Sequence, residues 1–435
     1  MKISTRGFLF QAIHTIFSKG YLLVIGILTG IITARVLKPD GKGLVAMFQV
    51  LPGMVVAFSE LGIRQSTAYL IGQKRFNEGD IQANMIALYC ISAISSFFII
   101  CWGYWSLGMF KYGLLMSIVF ALISPIALLE KYSSGLLLGR KLIEKINYIQ
   151  IIQSSAGLIL ITLFVGWFGW DVMGAGIGLL LAQCIAIVLL LSWISKYASL
   201  KPKLDLPILK EMLKKGISFA LSLFMISLNY RVDLLMLGKI QSNADAGIYI
   251  VGVNICELLK QIPLAIGLVL YSHSTSWTTD EINEALNKTA FLTRIIVFLS
   301  FTMALILASV VWWLIPLFYG VSFQESSRIV WYLLPGIVVL TYFISTHLFV
   351  AGQGKPELAL YAFAPASVLN IVLNILLIKK WSYIGAAMSS TISYIFAVII
   401  YLVVFRNQFR IRISDFIYPK KKDFSFLWNR VKGYD

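Results

Sequence analysis

The stretch MGAGIGLLLAQCIAIVLLLSWIS, Met173 to Ser195, contains no charged side chain. At ~1.5 Å per residue it is long enough to cross a hydrocarbon layer of ~30 Å as a helix. Hydrocarbon offers backbone groups no alternative partner, so a helix is the form such a run must take. Working outward, comparable runs recur from Phe8 to Phe405 with short polar breaks. They predict spans over 8–34, 43–72, 81–105, 113–138, 148–168, 173–195, 216–240, 247–272, 289–312, 328–351, 358–378 and 385–405. The weak alternating pattern of a membrane barrel is absent. Apolar residues make up 59% of the chain, charged residues 13%, and mean hydropathy is +0.83. A soluble domain, roughly half apolar and a quarter charged, cannot hide that much apolar surface. The expected fold is therefore all-α: a polytopic membrane protein of about twelve transmembrane helices.

The net charge of +17 would suit a nucleic-acid partner, but its placement argues for membrane orientation instead. With the N-terminus inside, the inner segments hold Lys2, Arg6, Lys74, Arg75, Arg140, Lys141, Lys145 and the cluster Lys196, Lys201, Lys203, Lys210, Lys214 and Lys215. They also hold the basic tail with Lys420, Lys421 and Lys422. The outer segments hold fewer basic residues, among them Arg35, Lys38, Lys42, Lys111 and Lys239. Both termini are thus expected in the cytoplasm, with the tail lying on anionic lipid. No nucleic acid is expected as a partner. Lys2 and Arg6 imitate a secretory signal, but Lys19 interrupts the apolar run, and a retained first span is the better reading. Cys90, Cys101, Cys184 and Cys256 all fall inside apolar runs, so neither a disulfide nor a metal site is expected.

The Lys-rich segment 196–215 divides the spans into six and six. The expected organisation is an N-terminal six-helix lobe over 1–195, a cytoplasmic linker over 196–215, a C-terminal six-helix lobe over 216–405 and a basic cytoplasmic tail over 406–435. Features recur across the divider in one order: Gly43 against Gly247, Gly139 and Glu144 against Gly352 and Glu357, and Trp170, Gly174 and Ala175 against Trp381, Gly385 and Ala386. This is the mark of a parallel repeat, with the lobes related by a pseudo-two-fold axis along the membrane normal. Gly26, Gly30, Gly174, Gly176 and Gly178 read first as positions of close helix approach. Pro52, Pro125, Pro263, Pro316, Pro335 and Pro365 kink helices or shape their packing.

A charge at the bilayer centre costs about 2.5 to 3.5 kcal/mol on insertion scales, so each one needs a reason. Glu60 with Arg64, and Glu257 with Lys260, are spaced to pair on one helix face. Such pairs either ease insertion or bind a ligand, and both readings stand at this point. Arg231 and Asp233 point to opposite sides of their helix and need partners elsewhere. Lys19 has no acid within a turn, Arg294 reaches toward the inner surface, and Lys131 beside Glu130 snorkels. The excess is basic: Lys19, Arg64, Arg231, Lys260 and Arg294 against Glu60, Asp233 and Glu257. A wet cleft with that balance suits a phosphate-bearing anion. His14, one turn from Lys19, is a core residue or a proton carrier.

With these residues in view, the chain resembles the bacterial polysaccharide repeat-unit flippases (Wzx type) of the multidrug/oligosaccharidyl-lipid/polysaccharide exporter superfamily. The carrying features are Ala34-Arg35-Val36-Leu37-Lys38-Pro39-Asp40-Gly41-Lys42-Gly43, then Glu60-Leu61-Gly62-Ile63 ahead of Arg64, and Asp233 before Gly247-Ile248-Tyr249. Asn374 followed by Trp381 and Gly385-Ala386-Ala387 completes the likeness. The resemblance implies a non-enzymatic carrier in the bacterial cytoplasmic membrane. Such a carrier moves an undecaprenyl-pyrophosphate-linked oligosaccharide from the inner to the outer leaflet by alternating access, for surface polysaccharide (O-antigen type) biosynthesis. It implies pyrophosphate binding by Lys19, Arg64, Arg231, Lys260 and Arg294, and ion coupling, to protons or sodium, through His14, Glu60, Asp233 and Glu257. Besides the lipid-linked oligosaccharide and membrane lipids, the implied partners are polymerase and chain-length proteins of the same pathway. No cofactor is implied.

A cation-coupled multidrug antiporter of the same superfamily is the nearest alternative, though a basic cleft would repel a cationic drug. A peptidoglycan-precursor flippase would commonly carry two further helices. A membrane polysaccharide polymerase or ligase would need a catalytic constellation in a sizeable outer loop. Here Gly169–Val172 and Gln241–Ala246 are short, and no nucleotide loop or nucleophile with a nearby base is evident.

Overall fold

The computed structural model describes residues 5–74, 76–140, 142–194, 202–261, 263–264, 282–353 and 355–417, with side chains from Phe17 onward. Lys2, Arg75, Lys141, Lys196, Lys201, Lys420, Lys421 and Lys422, the His14 side chain and the Lys215 side chain lie outside the described residues. The protein is all-helical over this range. The elements are α1 (Thr5–Ser59), α2 (Ile63–Gln73), α3 (Glu78–Ser106), α4 (Leu114–Gly139), α5 (Ile143–Ile161), α6 (Asp171–Ile194), α7 (Leu206–Ile240), α8 (Asn243–Glu257), α9 (Ile282–Tyr319), α10 (Ser326–Gly352) and α11 (Glu357–Phe409). Among the described residues, nine helices are long and apolar enough to cross a membrane.

Two of those nine are antiparallel pairs. Lys38 (φ 55°) interrupts α1 and Ser382 (φ 45°) interrupts α11. On a straight helix Gly30 and Lys42 would stand ~18 Å apart, yet Lys42 Nζ reaches the Gly30 carbonyl at 3.4 Å and Thr33 Oγ1 at 2.6 Å. Likewise Ser393 Oγ donates to the Ala366 carbonyl at 2.9 Å, across a separation that a continuous helix would make ~40 Å. The chain therefore folds back at both points, where the hydropathy pattern puts its polar breaks. Lys42, expected in a solvated outer segment, is instead 9% exposed, because the tight reversal turns it onto the end of its own hairpin.

The repeated features occupy matching places. Gly139 and Gly352 each end a helix, and Glu144 and Glu357 each stand in the first turn of the next. Asp171 and Ser382, one residue after Trp170 and Trp381, share a left-handed backbone at φ 44° and 45°. The helix start of α3 follows from capping: Asn77 accepts the Gly79 amide at 3.1 Å, and Glu78 and Asp80 sit in the positive first turn. One boundary moves. α7 opens at Leu206, ten residues ahead of the expected span and with Pro207 in its first turn, and Ile208 and Met212, one turn apart, are buried while Lys210 and Lys214 face outward. An amphipathic turn thus occupies the second half of the Lys-rich segment.

By contact the chain divides into two compact units. One comprises Met1–Ile248 with Phe318–Ser322, the other Tyr249–Leu317 with Phe323–Asp435. In the first, fully buried Phe48 stacks on Phe120 at 4.9 Å between centroids and meets Tyr104 edge-on at 5.0 Å. A Phe48→Ala variant is expected to lose about 3 to 5 kcal/mol, read as a lowered thermal midpoint in detergent. In the second, Phe343 packs on Phe363 and Tyr401, and Tyr401 on Phe405.

Candidate functional site

The second predicted span is broken where its charges lie. α1 ends at Ser59 and α2 begins at Ile63, and between them Leu61 (φ 49°) and Gly62 (φ 62°) both take left-handed backbone. Glu60 and Arg64 therefore straddle a break, not a regular helical turn, yet their side chains still approach to 3.8 Å. Neither Glu60 Oε1 nor Arg64 Nε has a hydrogen-bond partner, although both atoms are shielded from solvent. Tyr132 holds the break in place. Its hydroxyl donates to the Ser59 carbonyl at 3.0 Å and meets Ser92 Oγ at 2.9 Å, satisfying an end of α1 that the break leaves open.

Lys19 joins this region from the first predicted span. Its ammonium donates to Gln150 Oε1 on α5 at 3.0 Å, with no carboxylate as counter-ion in that contact. Lys131 and Arg64 lie within electrostatic reach of Lys19. Three cations on α1, α2 and α4 thus share one neighbourhood, with Glu60 as the acid nearest to Arg64. Like charges within reach repel one another, modestly here because Lys19 is exposed and the Arg64 side chain is 36% exposed. An arriving anion would relieve that repulsion.

Two further candidates belong to α7 of the first unit. Arg231 is half-buried on α7; Asp233 is 1% exposed, and its carboxylate accepts the Leu234 amide at 2.7 Å. In the second unit, Lys260 Nζ pairs with Glu257 Oε1 at 2.8 Å, as the spacing predicted, with 12% and 22% of the side chains exposed. Arg294 is 9% exposed and donates to the carbonyl of Asp415. That residue belongs to the short turn Ser414–Ile417, which is seated by Phe416 against Phe405 at 5.4 Å.

Sequence reasoning missed Gln150 as the partner of Lys19 and Tyr132 as the support of the break. The available signal was an amide and a phenol inside apolar runs. Asn374 Nδ2 donates to Asn370 Oδ1 at 2.9 Å, both residues fully buried. The four cysteines are free, and no group of three potential metal ligands occurs among the described residues.

No curated protein matches the chain. Solved structures do. An inward-facing multidrug resistance MATE family transporter of the MOP superfamily superposes with a TM-score of 0.74 at 16% identity, covering 89% of this chain and 94% of that one. The lipid II flippase MurJ in an inward closed conformation gives 0.70 at 16% identity, covering 94% and 89%. A MOP superfamily transporter from Pyrococcus furiosus, described as having a binding pocket of reverse polarity, gives 0.64 at 15% identity, covering 92% and 94%. These likenesses establish the fold. The family described as "Polysaccharide biosynthesis protein" matches residues 32–328, which include the reversal at Lys38 and the broken second span. The chain belongs to that polysaccharide biosynthesis protein family, built on the polytopic helical fold of MOP superfamily transporters.

Proposed function

We propose that the protein is a flippase that carries undecaprenyl-pyrophosphate-linked oligosaccharide units from the inner to the outer leaflet of the bacterial cytoplasmic membrane. It does so by alternating access between two six-helix lobes, 1–195 and 216–405, with twelve spans and both termini inside. The observation that carries this reading is the cluster of Lys19, Arg64 and Lys131 around the break in the second span, in a chain of a polysaccharide biosynthesis family. Guanidinium and ammonium groups offer a diphosphate several charge-assisted hydrogen bonds. The break makes the neighbourhood a natural binding point, because irregular backbone at membrane depth is tolerated where it is buried in protein or lines a cavity.

On this reading the anionic head enters between the lobes while the lipid chain stays in hydrocarbon, and rocking of the lobes exposes the head outward. No bond is made or broken. Glu60, Asp233, Glu257 and His14 are the candidates for coupling to protons or sodium. Polymerase and chain-length proteins would take the product on the outer face.

A multidrug antiporter on the same fold would favour cationic cargo, which the cluster repels. The two readings separate in a deletion strain. The flippase reading expects loss of surface glycan, restored by the plasmid-borne gene, with unchanged tolerance to cationic dyes. Normal glycan display with raised dye sensitivity would favour the antiporter.

A further inference from the structure

Two pairs of glycines in the first unit bring backbone against backbone. A Cβ added to Gly43 would overlap the Asn243 carbonyl oxygen and stand 2.6 Å from the Gly247 amide nitrogen. A Cβ on Gly247 would overlap the Pro39 carbonyl oxygen and stand 2.9 Å from the Gly43 nitrogen. These are the same two glycines that occupy equivalent places in the sequence repeat. At the second pair, a Cβ on Gly62 would lie 2.6 Å from Gly216 Cα, and one on Gly216 would overlap the Leu61 carbonyl oxygen. The obstructing atoms are backbone, so no side chain can swing aside to make room.

The pairs lie at opposite ends of one seam. From Gly43 to Gly62 the chain is mostly helical and rises ~28 Å, close to the ~30 Å thickness of a hydrocarbon layer. From Gly216, α7 climbs back along α1 and turns at Gln241 to bring Gly247 to the first pair. Between the ends the seam is filled: Gly238 receives the Met47 side chain, and Phe58 meets Phe224 edge-on at 5.3 Å. The Gly43 end is braced by Asn243, whose Nδ2 donates to Tyr112 Oη at 2.9 Å. The Gly62 end sits on the left-handed Leu61-Gly62 break, a place where a small rotation of backbone moves a whole helix.

We propose that Gly43–Gly247 and Gly62–Gly216 are the two closures of the transport seam, each sealing one membrane face and opening in turn. The inference rests on the alternating-access reading above. It adds that each closure is a backbone contact which any side chain at these four positions would prop open. In the structure both pairs are in contact.

The test uses full-length protein in cells, with Cys90, Cys101, Cys184 and Cys256 replaced by serine and Met47→Cys as reporter beneath the Gly43 end. Met47 is 4% exposed, so a membrane-impermeant thiol reagent applied outside is expected to label it slowly. Adding Gly43→Ala is expected to raise the labelling rate at least tenfold. Adding Gly53→Ala, where nothing lies within 4 Å, is expected to leave it unchanged. Equal rates for all three would overturn the proposal. A second arm needs no alanine variant. Met47 Cγ lies 3.1 Å from a Gly238 Cβ, so Met47→Cys with Gly238→Cys is placed to form a disulfide. Oxidation is expected to arrest glycan export and reductant to restore it. A pair that never cross-links, or one that cross-links without slowing export, would also overturn the proposal. Labelling that responds as expected in a strain whose glycan does not depend on this gene would leave the closures standing and reject the assigned cargo instead.

Discussion

Replacing Lys19 and Arg64 together by alanine is expected to abolish display of surface glycan while leaving the amount of protein in the membrane unchanged. Each side chain would lose a charge-assisted hydrogen bond to phosphate of about 1.5 to 3 kcal/mol. Together that is roughly a hundredfold to ten-thousandfold in affinity. The fold should survive. Lys19 gives up one hydrogen bond, to Gln150, and Arg64 approaches Glu60 only at 3.8 Å with its Nε unbonded. The variant Lys19→Gln separates charge from contact, since an amide can still meet Gln150 but offers a diphosphate no positive charge. It is expected to behave like the alanine variant in export and like the parent in stability. Export measured by glycan labelling on intact cells, with membrane protein quantified by immunoblot, checks both.

Arg294→Ala is expected to lower export at least tenfold, with Arg294→Lys restoring most of it. The structure gives this arginine a second task, because it donates to the Asp415 carbonyl and so holds the turn Ser414–Ile417 in place. The two tasks come apart in a chain ended at Arg410. If Arg294 serves cargo, the shortened chain keeps export and Arg294→Ala within it still fails. Equal loss in the shortened chain and in Arg294→Ala would assign the residue to docking of that turn alone. Limited proteolysis supplies an independent readout: Arg294→Ala should expose a cleavage point beyond Phe409 that the parent protects.

The long helices were legible because uninterrupted apolar runs admit one solution in hydrocarbon. The reversals at Lys38 and Ser382 fall where polar residues break those runs. Their left-handed backbone was not legible, since lysine and serine carry no preference for it and only tertiary packing imposes it. Among the charges, Glu257 with Lys260 could be read from spacing, because that contact is local to one stretch of chain. Glu60 with Arg64 was read as a helical pair and is a contact across a break, which Gly62 signals only to a reader who already suspects unwound backbone. The approach of Lys19 to Gln150, and its sharing of a neighbourhood with Lys131 and Arg64, depends on how α1, α4 and α5 pack. No spacing in the sequence encodes it. The sequence pattern sets Gly43 against Gly247, and no spacing in it encodes their mutual contact.

The most direct measurement is translocation by purified protein in liposomes. A prenyl-pyrophosphate-linked oligosaccharide is placed in both leaflets, and a glycosidase outside reports how much of it becomes reachable. The account predicts cleavage that proceeds past the outer-leaflet half with the parent protein and stops at that half with the Lys19→Ala, Arg64→Ala double variant. Cleavage that stops at half with the parent, from liposomes in which the same protein moves a cationic dye, would contradict it.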